Sequence, residues 1–234
     1  MLAGTGFARR AAHLWRALLP SACLVCAAVQ REVVCTGCAG KLMRAQPRCP
    51  RCATPGSHGH CGLCADDDPL DAAVTLGDYA EPFDKLVLRL KFGARLPAAG
   101  WIAAQLATAS RAQLSQLPDL LLPIPLSSHR LAERGFNQAW EIARPLARQL
   151  GIRASDTWLS RGRDTASQRT LDLTARLANL QQAFALCEEA AVEGLHIGLV
   201  DDVMTTGATL REAARVLKAH GAARVTALVA LRTP

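Results

Sequence analysis

From residue 70 onward the apolar side chains fall into two alternating patterns. Short runs rich in apolar and β-branched residues at 73–79, 119–125, 157–159, 196–200 and 224–231 fit strands, and the run at 119–125 is apolar enough to be buried. Longer segments lie between them, with apolar residues three and four apart. Residues 82–91 place Phe83, Leu86, Val87 and Leu90 on one helical face, with Pro82 near the first turn, where a proline is tolerated. Residues 98–116 are Ala-rich and periodic, 137–150 end at Gly151 and 208–220 end at Gly221, which suits a helix stop; 175–183 also reads as helical. From 160 to 174 the chain is polar, basic and without period, so a long loop is expected there. Strand and helix alternate, which predicts an α/β domain: a parallel sheet flanked by helices, with ligands at the carboxyl ends of the strands.

Neither pattern holds before residue 65. Residues 7–19 read as a short basic amphipathic helix, and Arg9, Arg10, His13 and Arg16 interrupt it too often for an export signal. No stretch approaches the roughly 18 apolar residues of a membrane span, so a soluble chain is expected. The next segment is organised by cysteine. Eight of nine cysteines form four Cys-x-x-Cys pairs: Cys23 with Cys26, Cys35 with Cys38, Cys49 with Cys52, and Cys61 with Cys64. The second two pairs repeat the first two at an offset of 26 residues, which marks an internal repeat. Two such turns complete the tetrahedral thiolate shell that zinc prefers and leave no open position, so two structural zinc sites are predicted, stapling a segment too poor in large apolar side chains to fold alone. Spacing leaves pairing open between sequential and cross-braced sites; sequential sites are the reading adopted. His58 and His60 are expected in an exposed loop, and Cys187 as a packing residue. A zinc-holding module without disulfides fits a reducing, cytoplasmic setting.

Charge changes this picture little. The net charge of +7 resides entirely in residues 1–64, where eight Lys or Arg face one acid, Glu32. Two zinc ions held by eight thiolates would bring that segment to about +3. A modest basic patch remains, able to meet nucleic-acid phosphates but better read as a solvated face. Aromatic residues are 4% of the chain, and Trp15, Trp101, Trp140 and Trp158 are scattered, which favours packing over base stacking.

The sharpest chemical signal is 199–209, Leu-Val-Asp-Asp-Val-Met-Thr-Thr-Gly-Ala-Thr. A strand delivers the adjacent carboxylates Asp201 and Asp202, taken here as the start of a loop. In that loop Thr205, Thr206, Gly207, Ala208 and Thr209 offer hydroxyls, close backbone approach and a helix N-terminus, which together suit a 5′-phosphate. The carboxylates can bracket a ribose by accepting from its hydroxyls, and one can reach Mg²⁺ through water. The segment resembles the phosphoribosyl-diphosphate motif of type I phosphoribosyltransferases.

The resemblance extends further. The four Cys-x-x-Cys pairs, 90–92 (Leu-Lys-Phe), 123–126 (Pro-Ile-Pro-Leu), 134–138 (Arg-Gly-Phe-Asn-Gln), Gln168, Arg176, Asn179 and the phosphate motif are similar to the ComF family. That likeness implies a type I phosphoribosyltransferase fold over 72–234 and a double four-cysteine zinc module over 21–66, with the basic helix read from the residues themselves falling within 1–20. It implies phosphoribosyl diphosphate with Mg²⁺ as ligand, with Asp201 and Asp202 catalytic and Ser127, Ser128, Arg130 and Arg134 on the pyrophosphate. Residues 161–169 would form a flexible hood. Lys91, Asn137 and Gln138 suit structural roles as well as binding ones. Ala208 stands where many phosphoribosyltransferases have a second glycine. The family is associated with DNA uptake during natural competence, which implies two functions to separate: phosphoribosyl transfer to an unidentified acceptor, or a ligand-sensing adaptor that binds single-stranded DNA or proteins of the uptake machinery.

Overall fold

The computed structural model describes residues 21–57, 59–62, 64–93, 96–162 and 183–234. The helix expected over 7–19, and most of the loop and helix expected over 160–183, lie outside the described residues, as do His58, Gln168, Arg176 and Asn179. Strands β1 (Ser21–Ala22) and β2 (Val29–Gln30) pair antiparallel and lead into helix α1 (Thr36–Leu42). Then follow β3 (Ala72–Asp78), α2 (Asp84–Gly93), α3 (Leu96–Gln113), β4 (Leu120–Pro123), α4 (Ser128–Arg134), α5 (Gln138–Leu150) and β5 (Arg153–Ala154). A ribbon of β6 (Leu159–Arg161) and β7 (Phe184–Leu186) precedes β8 (His196–Met204), α6 (Ala208–Ala219) and β9 (Arg224–Arg232). No described helix is long and apolar enough to cross a membrane.

Five strands form one sheet in the order β3-β9-β8-β4-β5, every neighbouring pair parallel. One face packs Val74, Leu76, Leu121, Val200 and Leu228 against Leu86, Leu90, Ile102, Leu106, Ile142 and Leu146 of α2, α3 and α5. The opposite face packs Leu120, Leu122, Ile197, Leu199 and Val229 against Leu210, Ala213, Ala214 and Leu217 of α6. This two-sided burial is why the strands read as apolar runs, and truncating any of these leucines to alanine is expected to cost about 2–5 kcal/mol.

The cysteine segment straddles the β3 edge. Its first repeat adds Leu24, Val25, Val34 and Leu42 to one core face; its second adds Cys49, Cys52 and Ala53 to the other. The Ala73 amide of β3 donates to the Pro50 carbonyl at 2.9 Å, so an edge strand that would otherwise invite pairing with another chain is partly satisfied and covered. Leu42 presses onto Gly77 so closely that a Cβ there would lie 2.7 Å from the Leu42 carbonyl oxygen.

Three local expectations need correction. The expected loop at 127–130 is the start of helix α4: Ser127 caps it by accepting from the Arg130 amide at 3.4 Å, and Gly135, at φ 76°, closes it with its amide on the Leu131 carbonyl. The strand expected at 157–159 starts at Leu159 and pairs with β7 rather than joining the main sheet. β8 also runs four residues beyond Val200, because 201–204 remain in register with β9, Asp201 opposite Val229 and Met204 opposite Arg232.

Candidate functional site

The eight paired cysteines form two groups, Cys23, Cys26, Cys35 and Cys38, and Cys49, Cys52, Cys61 and Cys64, with all sulfurs in a group within 4.8 Å of one another. Sulfurs on a tetrahedron about 2.3 Å from zinc stand about 3.8 Å apart. The observed Sγ–Sγ separations include 3.8 Å for Cys26–Cys35, 3.9 Å for Cys49–Cys64, 3.4 Å for Cys52–Cys61 and 3.5 Å for Cys61–Cys64. The donor set and its size therefore fit two zinc ions in sequential sites. The repeat extends to the backbone, since Cys35 N points at Cys23 Sγ and Cys61 N at Cys49 Sγ, both at 3.4 Å. Burial works to raise the Cys23 and Cys49 thiols, but these and neighbouring amides outweigh it and bring each down to about 6. Burial and adjacent sulfurs push Cys38 up to about 12, so thiols that share a site in this way need a cation before all four become thiolates.

At the carboxyl end of the sheet lies a cavity of about 190 Å³. Its charged walls are Asp201 and Asp202 from β8, Lys91 from α2, Arg130 and Arg134 from α4, and Arg161 from β6; Asn137, Gln138 and Thr209 add polar groups. Both residues line this one cavity, although neighbouring side chains on a strand alternate in direction. Asp202 is buried, and Lys91 Nζ stands 2.9 Å from its Oδ2, an ion pair without hydrogen-bond alignment. Asp201 turns back on the main chain, its Oδ1 accepting from the Asp202 amide at 2.8 Å. Burial, and then the charge of Asp202, push the Asp201 carboxyl up to about 7 against the pull of that amide, Lys91 and Arg161. Two buried polar atoms on this wall, Asp202 Oδ2 and Gln138 Nε2, have no hydrogen-bond partner within the described residues. Asp202 Oδ2 has Lys91 as its ion-pair partner, while the buried Gln138 donor has none and fits a polar ligand that accepts from it.

Asp201, Asp202, Arg130, Arg134 and Thr209 thus meet in one place. Thr205, Thr206, Gly207 and Ala208 form the adjoining turn, with Thr205, Thr206 and Ala208 exposed and Gly207, at φ 80°, heading α6. Gly207 supplies no side-chain cap and the Thr206 hydroxyl accepts only from the Ala208 amide at 3.3 Å, which leaves the other first-turn amides to an anion. Ser127 and Ser128 are not in the cavity wall; Ser127 is spent on capping α4. Asn137 caps α5 through its Oδ1 on the Ala139 amide and also donates to the Ile124 carbonyl, so its part is structural. Lys91 and Gln138, which sequence reasoning left undecided, do line the site. His60 is exposed, Cys187 partly buried, and Trp101, Trp140 and Trp158 pack against the core.

Residues 14–66 match the double zinc ribbon domain and residues 137–234 the phosphoribosyl transferase domain. The DNA utilization protein YhgH of Salmonella typhimurium is 36% identical over 225 residues, 92% of this chain and 98% of that protein. Competence protein F of Haemophilus influenzae is 33% identical, with 82% of this chain and 87% of that protein covered. The chain belongs to the ComF/YhgH family. Competence protein ComFC of Bacillus subtilis is 32% identical, with 86% of this chain and 85% of that protein covered. Among solved structures, glutamine phosphoribosylpyrophosphate amidotransferase of B. subtilis aligns with 55% of this chain and 25% of its own, at 18% identity and a TM-score of 0.40. Adenine phosphoribosyltransferase of Thermoanaerobacter pseudethanolicus aligns with 58% and 82%, at 15% identity and 0.36. The family has a double zinc ribbon joined to a phosphoribosyltransferase domain, and both parts are present here.

Proposed function

We propose that this chain binds 5-phosphoribosyl diphosphate together with Mg²⁺ and transfers the phosphoribosyl group to a nucleophilic acceptor, in the service of DNA uptake or utilization, as the names of its relatives indicate. The observation that carries the reading is the cavity lined by Asp201, Asp202 and four cationic residues, beside the start of α6. The 5′-phosphate sits on the amides and hydroxyls of 205–209. Asp201 and Asp202 accept from the ribose hydroxyls. Mg²⁺, whose hard oxygen ligands Asp201 and Asp202 could supply directly or through water, neutralises the diphosphate when bound.

The C1′–oxygen bond to diphosphate breaks as the acceptor's lone pair forms the new bond to C1′. Arg130 and Arg134 face the leaving diphosphate and take up its growing charge, while the paired carboxylates stabilise the positive charge on the ribose ring. Lys91 pairs with Asp202 at the cavity wall and screens that carboxylate's charge from the anionic ligand. The test is pyrophosphate release from phosphoribosyl diphosphate and Mg²⁺ with a panel of purines, pyrimidines and amines. Release with one class identifies the acceptor; saturable binding without release across the panel makes the protein a sensor, and absence of binding removes the reading.

A further inference from the structure

The second four-cysteine cluster and the turn at 205–209 are tied together by two arginines. Arg232, the last residue of β9 and 9% exposed, donates from Nε to the Cys52 carbonyl at 3.1 Å and from Nη2 to the Thr54 hydroxyl at 3.2 Å. That hydroxyl stands 3.1 Å from Cys52 Sγ. The same guanidinium reaches the Met204 carbonyl at 3.4 Å, where the Thr233 amide also donates at 2.9 Å. The peptide at which β8 ends and the turn begins is therefore held by the group that holds a metal-ligating cysteine.

Arg211, in the first turn of α6, makes the second tie. Its Nε donates to Asp68 Oδ2 at 2.8 Å and its Nη1 to the Thr206 carbonyl at 2.6 Å. The Asp68 side chain is 2% exposed, its Oδ1 accepts from the Leu70 amide and its own amide bonds the Ala65 carbonyl, so it is fixed in the turn that follows Cys64. Arg51, between Cys49 and Cys52, donates to that same Ala65 carbonyl at 2.7 Å. Two hydrogen-bonded paths thus run from the cluster to the turn: from Cys52 through Arg232, and from Ala65, the residue next to Cys64, through Asp68 and Arg211. The first cluster has no such link among the described residues; it meets the sheet through Leu42 on Gly77 at the β3 edge.

We propose that Arg211 and Arg232 are positioning residues through which the second cluster sets the geometry of the anion-binding turn, so that loading of that cluster with metal governs affinity for the phosphorylated ligand. The proposal rests on the reading of 205–209 as the phosphate site. Four converging thiolates fix Cys52 and Cys64 only when a cation holds them together; without it the anchors of both guanidinium groups loosen. Linkage then runs both ways: a ligand that favours the held turn also retards metal loss from the second cluster, and not from the first.

The test uses the full-length, zinc-loaded protein and the variants Arg211→Gln, Arg232→Gln and Cys26→Ser. Amide hydrogen exchange at 205–209 reads the turn without any ligand. It is expected to rise at least tenfold in Arg211→Gln and Arg232→Gln, with exchange in β4 unchanged, and to stay at the wild-type rate in Cys26→Ser. Phosphoribosyl diphosphate with Mg²⁺ is expected to slow chelator-driven zinc release from one of the two sites severalfold in the wild type and not in Arg211→Gln, an effect a merely structural arginine would not abolish. Unchanged exchange at 205–209 in folded Arg211→Gln and Arg232→Gln overturns the proposal. If Arg232→Gln raises exchange everywhere, Arg211→Gln alone decides. If the ligand fails to bind the wild type, the phosphoribosyl reading fails, while the exchange experiment still decides the coupling.

Discussion

Replacing Lys91 with methionine keeps the bulk of the side chain in place and removes the cation 2.9 Å from Asp202 Oδ2. At an effective dielectric constant of about 20 the pair attracts by about 6 kcal/mol, before the cost of removing both ions from water. Breaking a fully buried pair from one side costs about 3–5 kcal/mol. Lys91 is 24% exposed here, so water partly replaces it, and the expected loss is about 2 kcal/mol. For a domain of this size that is a fall in Tm of about 4–8 °C. The assay is urea or thermal unfolding at pH 7.5 of Lys91→Met, Asp202→Asn and the double variant. Because each single variant strands the other partner, the double is expected to be more stable than the sum of the singles predicts, by about 1 kcal/mol or more. Additivity within about 0.5 kcal/mol would mean that the two groups do not sense each other, and the electrostatic account of the cavity would be wrong.

Asp201 supplies a pH test. Its folded-state carboxyl is raised to about 7 from an ordinary 3.8, so the folded chain binds more protons than the unfolded chain between those values and stability falls as pH rises through that window. Asp201→Asn, measured with a chelator of divalent ions present, is expected to match the wild type near pH 4 and to exceed it by at most about 4 kcal/mol at pH 8; equal stability at both pH values would show that the carboxyl is not strained. Gly207→Ala forces a left-handed φ on alanine and sets a Cβ 2.5 Å from the Met204 methyl and 2.8 Å from Arg211. A stability loss of about 1–3 kcal/mol with weaker anion binding is expected by denaturation and calorimetry. Elemental analysis should find two zinc ions per chain. Removing them should expose the β3 edge and cause aggregation on warming, and a single ion would break the two-site reading.

Much of this architecture is visible in residue order because buried parallel strands need continuous apolar runs. Leu120–Pro123 and Arg224–Arg232 could be located that way, and helix ends at Gly151 and Gly221 followed from the residue types that stop helices. The four cysteine pairs read clearly because metal ligation leaves little freedom in spacing. Helix α4 was missed although its signals are present, Ser127 as cap and Gly135 as stop, because its lack of buried residues gives no period to detect. The reach of β8 past Val200 was hidden because Asp201 and Asp202 look like a loop; pairing with β9 decides the matter, and that is non-local information. For the same reason Lys91 and Gln138 could not be assigned, since their distance in sequence from Asp202 says nothing about their meeting at one cavity. Arg211 and Arg232 carried no signal at all: one lies on an amphipathic helix and the other ends a strand, and only the folded chain brings them to the second cluster.

The most direct measurement is titration calorimetry of phosphoribosyl diphosphate into the intact zinc-loaded protein, with and without Mg²⁺, beside the Asp201→Asn/Asp202→Asn double variant. Saturable binding at one site per chain, dependent on Mg²⁺ and lost in the double variant, is the predicted result. Undetectable binding by a folded, zinc-replete wild type, or equal binding by the double variant, would contradict it.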